Sequence, residues 1–411
     1  MRCTKILSAF LAIASLLLGA FTPMVLAQEA VEVSNNGAGS TNTTNLTENR
    51  TVTVVQSNTA TVVNTINANA TSGGNNLNDN TGGNIGVNTG SATVNVQTNT
   101  LVNANVAKTD CQICPTCTSV EISGNGSESV STANLITNSE IMTFQENHAR
   151  IANQINANSI SGQNNTNRNT NGEVSVLTGP ATVNAEVYNT ANANLLQIGG
   201  DSGTDDEVAA IEITGNGSHS QNAVNLFRQR AISIVQNNLA DMNNRLDTNA
   251  ISGQNSAEDN TRGSVGLRTG SATVNAKIDN LANFNYAEAE CCEGLAMAEV
   301  SGNGADSRNT FNQTTARDLL SVFQNDEGGL FSATNVANAS PLSGSNRLNR
   351  NTGSEENSDP VTALTGPATS NVEVYTTGGA NVYTAGGNWS WSNNPWFEFE
   401  FDFGSVWNHL F

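Results

Sequence analysis

Lysine is nearly missing from this sequence of 411 residues, which contains only Lys5, Lys108 and Lys277. Sixteen Lys and Arg residues stand against 36 Asp and Glu residues, so the formal net charge at pH 7 is −20. A chain this acidic is repelled by the phosphates of nucleic acids and by anionic lipid surfaces. We therefore expect no nucleic-acid partner.

Long hydrophobic runs are also scarce, and the one present lies at the N-terminus. It extends from Ile6 to about Phe21, follows Arg2 and Lys5, and precedes a small-residue cleavage site that ends at Ala27. This arrangement predicts a secretory signal peptide over residues 1–27. A membrane anchor is the alternative, but a spanning helix needs about 20 apolar residues. We expect a secreted chain, extracellular or at the cell surface, with no transmembrane segment in its mature form.

Residue patterns that commonly carry catalysis are missing as well. The histidines His148, His219 and His409 lie far apart in the sequence. We find no nucleophile motif, phosphate-binding loop or metalloprotease signature in the sequence. We therefore do not expect an enzyme, and the sequence indicates no cofactor apart from a candidate calcium ion.

Asparagine is abundant instead, with 65 residues, and it recurs in register with Val, Ile and Leu. Five landmarks repeat in one order, four times, about 90 residues apart, which is typical of a tandem array. The openings, similar to S-G-N-G, begin near Val31, Val120, Ile211 and Glu299, and the glutamines are Gln56, Gln145, Gln236 and Gln324. The Ser-Gly pairs start at Ser72, Ser161, Ser252 and Ser343, the N-T elements at Asn80, Asn169, Asn260 and Asn351, and the Thr-Gly pairs at Thr89, Thr178, Thr269 and Thr365.

These landmarks divide the chain into repeats, junctions and one C-terminal segment. The repeats are residues 28–106, 120–198, 211–286 and 299–387. A Cys-containing junction at 107–119, an acidic junction at 199–210 and a second Cys-containing junction at 287–298 separate them, and residues 388–411 form an aromatic C-terminal segment. Because the junctions fall at equivalent positions, we expect them to be loops on one side of the array.

The last part of each repeat alternates apolar and polar residues across its Thr-Gly pair, which predicts strand, turn and strand. The middle part supports two interpretations. A spacing like one helix face is shown by Ile232, Val235, Leu239, Met242 and Leu246. The equivalent residues 51–70 are dense in Val and Thr, which favour strands, and Gly328 and Gly329 would break a helix in the fourth repeat. We predict a strand, and α+β units with one helix per repeat are the alternative.

Short strands separated by Gly and Asn turns predict an all-β fold, a repetitive β-solenoid-like array of four units of about 90 residues. An inward-facing Asn without partners costs about 1–3 kcal/mol. We therefore expect the amides to stack on the equivalent Asn of the next coil or to bond the turn backbones. Asn also tolerates left-handed backbone geometry, which suits the corners of such a coil.

The junction cysteines predict disulfides in an oxidising compartment. The five that remain after removal of the signal peptide are Cys111, Cys114, Cys117, Cys291 and Cys292. Metal binding by the C-x-x-C-x-x-C run and free thiols are the alternatives. The odd number leaves one cysteine unpaired or linked to another chain. A bond between the neighbours Cys291 and Cys292 would be strained, which favours partners elsewhere.

The acidic junction is a candidate calcium site, because Ca²⁺ prefers oxygen ligands. Its carboxylates are Asp201, Asp205, Asp206 and Glu207. They lack the spacing of an EF-hand, and a solvated acidic loop is the alternative.

The C-terminal segment holds the four tryptophans and an aromatic row that alternates with acidic residues. Its candidate assembly or capping residues are Trp396, Phe397, Phe399, Phe401 and Phe403. An exposed aromatic row marks an interaction surface. We predict that it caps one end of the array or pairs with another subunit, and export or surface attachment is the alternative.

The landmarks S-G-N-G, Q-x-N-x-A, N-T-x-G and T-G-x-A-T-V-N resemble the Asn/Thr-rich repeats of predicted secreted proteins from uncultured candidate-phylum bacteria. The resemblance covers nearly the whole mature chain. It implies location more than activity, because that group is largely uncharacterised. A weaker resemblance is to curlin-type fibre subunits, which also use Gln/Asn ladders, although their short Gln-x-Gly-x-x-Asn period is missing here.

Two functions from different classes follow as hypotheses. The first is a self-associating structural protein of the bacterial cell surface, a subunit of an extracellular fibre or sheath, which the aromatic segment and the odd cysteine favour. The second is an adhesin that binds a carbohydrate or a host surface. A repeated outward aromatic row would favour adhesion, but Tyr188 and Tyr375 recur in two repeats only.

Overall fold

The computed structural model describes residues 29–109, 118–199, 209–290, 296–325, 331–353 and 360–384. Within these ranges every regular element is a β-strand, and the strands form four stacked layers. The first layer holds β1 (Glu29–Ser34), β2 (Thr41–Gly73), β3 (Ile85–Thr89) and β4 (Ala92–Thr109). The second holds β5 (Thr118–Ser123), β6 (Val130–Gly162), β7 (Val174–Thr178) and β8 (Ala181–Gly199).

The third and fourth layers repeat this order with one additional short strand each, and the fourth layer also has two strands in the place of one long strand. The third holds β9 (Ala209–Thr214), β10 (Gln221–Gly253), β11 (Ser256–Glu258), β12 (Val265–Thr269) and β13 (Ala272–Glu290). The fourth holds β14 (Ala296–Ser301), β15 (Arg308–Asn325), β16 (Phe331–Gly344), β17 (Arg347–Asn349), β18 (Val361–Leu364) and β19 (Ala368–Thr384). Of these, β15 and β16 occupy the place of the long strand.

All strand pairs between layers are parallel and join equivalent positions of successive repeats. The long sheet consists of β2, β6, β10, β15 and β16, and the return sheet consists of β4, β8, β13 and β19. The opening sheet is β1, β5, β9 and β14, the corner sheet is β3, β7, β12 and β18, and β11 pairs with β17. This architecture confirms the prediction of an all-β, solenoid-like repetitive array.

One repeat makes one coil, and the coil is much more elongated than the sequence predicts. Strands β2, β6 and β10 contain 33 residues each. At about 3.3 Å per residue, each spans roughly 110 Å. The prediction of short strands was wrong for this part of the repeat. Strand β6 has a parallel neighbour on both sides over its whole length, so its backbone groups stay satisfied without a turn.

Burial along β10 explains why the helical interpretation of the third repeat is wrong. Its side chains alternate between the core and the outside, with Ile234, Gln236 and Asn238 pointing inward. Val235 faces outward in the same column as Phe144 of β6. The helix-like spacing of apolar residues therefore mixes two faces of one strand.

The core lies between the long sheet and both the opening and return sheets, and the corner sheet packs against the region of the short strand β11, which contributes Ala257. Its largest aliphatic cluster joins the long and return sheets and includes Ile155, Val183, Leu246, Val274 and Ile278. Each such side chain contributes about 1.5–3 kcal/mol when it is fully buried. The opening sheet packs on the beginning of the long strands, and this places Ile122 beside Leu135 in a second cluster.

Candidate assembly surface

Every site residue that the sequence singled out lies outside the described residues. This holds for the five junction cysteines, the acidic junction 201–207 and the aromatic residues 396–403. Disulfides, calcium binding and capping by the C-terminal segment therefore stay predictions. The described residues instead reveal three features that bear on assembly: amide ladders, open end layers and charged rows.

The first feature is a chain of buried amides that connects the long and return sheets. Asn105 donates to Asn147 at 3.1 Å, and Asn147 donates to Asn194 in the facing sheet at 2.8 Å. The chain continues from Asn194 to Asn238 at 3.0 Å and from Asn238 to Asn285 at 2.9 Å. All five residues are buried. We call these residues the first amide zipper, and their mutual bonds remove the penalty for burying an amide.

A second amide zipper lies farther along the same two sheets. Asn153 donates to Asn189 at 3.0 Å, Asn189 to Asn244 at 3.0 Å, and Asn244 to Asn280 at 3.0 Å. The sequence predicted that amides stack along the array. It did not predict that they also join facing sheets, because the register of residue 147 against residue 194 cannot be read within one repeat.

Asparagine side chains at the turns form ladders and also hydrogen-bond to backbone groups of the adjacent layer. The Oδ1 atom of Asn125 accepts the backbone N–H of Asn36 at 3.2 Å and its Nδ2 at 2.8 Å. The Nδ2 of Asn125 donates to the carbonyl of Val33 and to Asn216 Oδ1. Because both ends of the amide are held by backbone groups, its orientation is fixed. We call these columns the turn ladders: 36–125–216–303, 75–164–255–346 and 80–169–260–351.

The turn ladders give the stack a direction. In all three, each side-chain N–H points from one layer to the Oδ1 of the next, from the first layer toward the fourth. The first layer therefore ends in amide oxygens and the fourth in amide N–H groups. The glutamine ladder runs the opposite way, since Gln145 donates to Gln56 at 2.7 Å and Gln324 donates to Gln236 at 2.7 Å.

The two end layers are open within the described part of the chain. Strands β1–β4 on one side, and β14–β16, β18 and β19 on the other, each pair with a described strand on one edge only. Large apolar side chains are exposed in the first layer at Val55 and Val63, and in the fourth at Leu319, Leu320 and Phe323. Unpaired edges of this length are templates for further strand pairing.

A row of alternating charges runs up one corner of the array. Arg168 donates two bonds to Asp79, at 2.6 and 2.8 Å, and Arg350 donates two to Asp259, at 2.5 and 2.9 Å. These four residues, the corner charge row, occupy one equivalent turn position, with φ between 52° and 61°. The bond from Arg168 lowers the pKa of Asp79, and the bond to Asp79 raises the pKa of Arg168, which Asp259 also raises.

A row of like charges lies on the opening sheet. It consists of Glu32, Glu121, Glu212 and Glu299, which pair in register through all four layers. Neighbouring strands are about 4.8 Å apart, and like charges in direct register are destabilising. We call this set the glutamate row.

Sequence reasoning missed the corner charge row, although a signal for it was present. The residue before each N-T element is Asp, Arg, Asp and Arg in turn. Alternation between repeats, rather than identity, is what marks a charge ladder in an in-register array. Within the described residues, no group of three or more His, Cys, Asp and Glu side chains could hold a metal ion.

Comparison with protein-family models, with curated proteins and with solved structures finds no match to this chain. Within the described ranges, no helix is long and apolar enough to cross a membrane.

Proposed function

We propose that the chain is a secreted structural protein of the bacterial cell surface and forms a subunit of an extracellular fibre or sheath. The observation that carries this proposal is the pair of open end layers, in which strands of up to 33 residues have one edge free of described neighbours. Edges of this length favour association with another chain. The proposal assigns the chain no catalytic role.

The hydrogen bonds between the layers are consistent with a structural role. The two zippers and the turn ladders join neighbouring layers by side-chain bonds in addition to the backbone pairing. Hydrogen bonds in such connected networks strengthen one another, which favours a rigid stack of layers. The resemblance to secreted Asn/Thr-rich repeat proteins supports the location in this proposal.

The adhesin hypothesis has less support from the arrangement of the aromatic residues. Tyr188 and Tyr375 lie two layers apart on the return sheet, where Asp279 pairs with both. Lys277 lies between them, with its Nζ 5.0 Å from the centroid of one ring and 5.7 Å from the other. A sugar-binding platform needs an accessible ring face in several layers, whereas here one lysine lies over both rings and only Tyr375 stays largely exposed, at 53%.

Microscopy and sedimentation of the protein without residues 1–27 test the proposal. We expect fibres or sheets in negative stain, and a sedimentation coefficient that rises with protein concentration. If the protein stays a monodisperse monomer over a wide concentration range and binds a polysaccharide specifically, the adhesin hypothesis is favoured over assembly.

A further inference from the structure

We infer that the fourth layer of one copy docks onto the first layer of the next copy, in parallel and in the register used inside the chain. This inference rests on the proposed function and adds the surface, the direction and the register of the contact. The partner is a second copy of this chain.

The turn ladders carry the first argument. Asn303, Asn346 and Asn351 end these ladders in the fourth layer, with side-chain N–H groups directed to the next position. The first layer begins the same columns with the Oδ1 atoms of Asn36, Asn75 and Asn80. A second copy placed on the fourth layer in register would bring each acceptor to its donor.

One of these donors is buried and lacks a partner. The Nδ2 atom of Asn346 has no hydrogen-bond partner among the described residues, and it is almost inaccessible to water. A buried amide N–H without an acceptor costs about as much as a lost hydrogen bond. This unsatisfied N–H marks the position at which the column of Asn75, Asn164, Asn255 and Asn346 has no further acceptor in the described part of the chain.

The corner charge row carries the second argument, independently of the amides. It ends with Asp79 in the first layer and Arg350 in the fourth, so the two ends have opposite charge. Docking the fourth layer onto a first layer continues the alternation and places Asp79 of the next copy beside Arg350. Two first layers facing each other would instead offer Asp79 and the turn-ladder oxygens from both copies, without the Arg350 or the turn-ladder N–H groups that complement them.

An apolar column supports the same register. Val55, Phe144, Val235 and Phe323 follow one another through the four layers on the outside of the long sheet. The two ends of this column are 66% exposed at Val55 and 52% exposed at Phe323. The inferred contact covers both side chains, because Val55 of the next copy lies over Phe323.

The glutamate row opposes the contact and makes it sensitive to salt. Glu299 of one copy would meet Glu32 of the next, and the net charge of −20 adds general repulsion. Salt screens such exposed charges over a Debye length of about 8–10 Å. Assembly should therefore increase as NaCl is raised to about 0.15 M, whereas an assembly that depended on ion pairs alone would weaken.

Charge exchange at the two ends of the corner charge row tests the inference in the full mature chain. In a contact between two Asp79→Arg copies, two arginines face each other. In a contact between two Arg350→Asp copies, two aspartates face each other. Each variant alone should need at least about a fivefold higher concentration to assemble. An equimolar mixture should recover assembly, because each variant then offers the charge that the other lacks.

Two controls distinguish an effect on the contact between copies from an effect on folding. Arg268→Asp makes the same charge change as Arg350→Asp on an exposed third-layer side chain, and it should leave assembly unchanged. Each single variant also turns an exposed ion pair within the chain, with Arg168 or with Asp259, into a pair of like charges, so thermal unfolding is measured alongside. Recovery in the mixture cannot arise from folding, because mixing leaves each chain's own residues unaltered.

The outcomes distinguish this inference from the proposed function. If the protein assembles neither with residues 388–411 nor without them, the proposed function fails. If it assembles and the single variants assemble equally well, or the mixture does not recover, then the contact inferred here is wrong and another surface joins the copies. If deletion of residues 388–411 is needed before a monomeric wild-type protein assembles, that segment occupies the end layer, and the inference is wrong for the full chain.

Discussion

Asn147 of the long sheet donates a hydrogen bond to Asn194 of the return sheet at 2.8 Å, and both side chains are 0% exposed. The bond crosses the interior of the array and fixes the register of one sheet against the other. Two apolar side chains in these positions would fill the space but would permit the sheets to slide, because apolar contacts have no direction.

Replacement of Asn147 by Ala is expected to destabilise the fold by about 2–4 kcal/mol, because it leaves several buried amide groups without a partner. The free energy of unfolding from urea denaturation measures this loss. The matched control is Asn134→Ala, which removes a member of a ladder on the outer face of the same strand. We expect the control to cost less than about 1 kcal/mol, and equal losses would contradict the role given to burial.

Replacement of Gly162 by Ala is expected to prevent stable stacking of the second and third layers. Gly162 has a φ of +130°, and an added Cβ would lie 2.1 Å from the carbonyl oxygen of Gly253. Both the strained backbone and the clash with a backbone atom act against the variant, which should lose more than about 3 kcal/mol. Thermal unfolding followed by circular dichroism measures it.

Gly86→Ala is the control for this variant. A Cβ at Gly86 meets no atom within 4 Å, and its φ is outside the left-handed region. We expect the thermal unfolding midpoint of Gly86→Ala to stay within a few degrees of that of the wild type. If Gly162→Ala unfolds at the same temperature as the wild type, the layers are less tightly stacked than the structure indicates.

Replacement of Glu121 by Gln is expected to stabilise the fold by about 0.2–1 kcal/mol at low salt. The change removes a charge that lies in register between Glu32 and Glu212. The gain should shrink in about 0.5 M NaCl, since salt screens the repulsion that the change relieves. Glu146→Gln is the control, because Glu146 pairs in register with Ser57 and Asn237. An equal gain in the control would point to net charge rather than to the glutamate row.

Stability is expected to fall in acid partly through Asp247. The bonds from Arg245 and then from Asn338 lower the pKa of this carboxyl below its ordinary value of 3.8. A lowered folded-state pKa contributes stability that is present above the unfolded value and is lost as the pH falls through the folded value. Asp247→Asn should therefore lose less stability than the wild type between about pH 5 and pH 2.

Urea denaturation at several pH values checks this expectation. Asn338→Ala provides an intermediate case, because it removes one of the two donors, at 2.7 Å, and keeps the bond from Arg245. If the free energy of unfolding falls equally with pH in the wild type, Asp247→Asn and Asn338→Ala, then other carboxyl groups determine the acid sensitivity.

The all-β repetitive fold could be predicted from the sequence because each repeat carries the same landmarks in the same order. The inward residues of the strands around Val174 and Val183 follow from period-2 alternation, which a single strand displays without its neighbours. The extent of β6 could not be predicted in this way. The length of this 33-residue strand depends on in-register pairing with the equivalent strands of the adjacent layers, and no local sequence pattern shows that pairing.

The candidate surface could be predicted only in part. Stacking of equivalent amides follows from the repeat, and the ladder from Gln56 to Gln145 is an example. The bond from Asn153 to Asn189 depends on how the chain folds back on itself, which the spacing of residues within one repeat does not determine. The opposite charges of Asp79 and Arg350 could have been found by comparing the repeats for alternation rather than for identity.

The corner charge row also restricts how a gene for this protein can change its number of repeats. Because one repeat is one layer, duplication or loss of a single unit alters the height of the array by about 4.8 Å. With Asp and Arg alternating, an even number of units leaves opposite charges at the two ends, whereas an odd number leaves the same charge at both. If copies join end to end as inferred above, recombination that adds or removes units in pairs preserves the match between the ends, and functional variants of this architecture should contain even numbers of units.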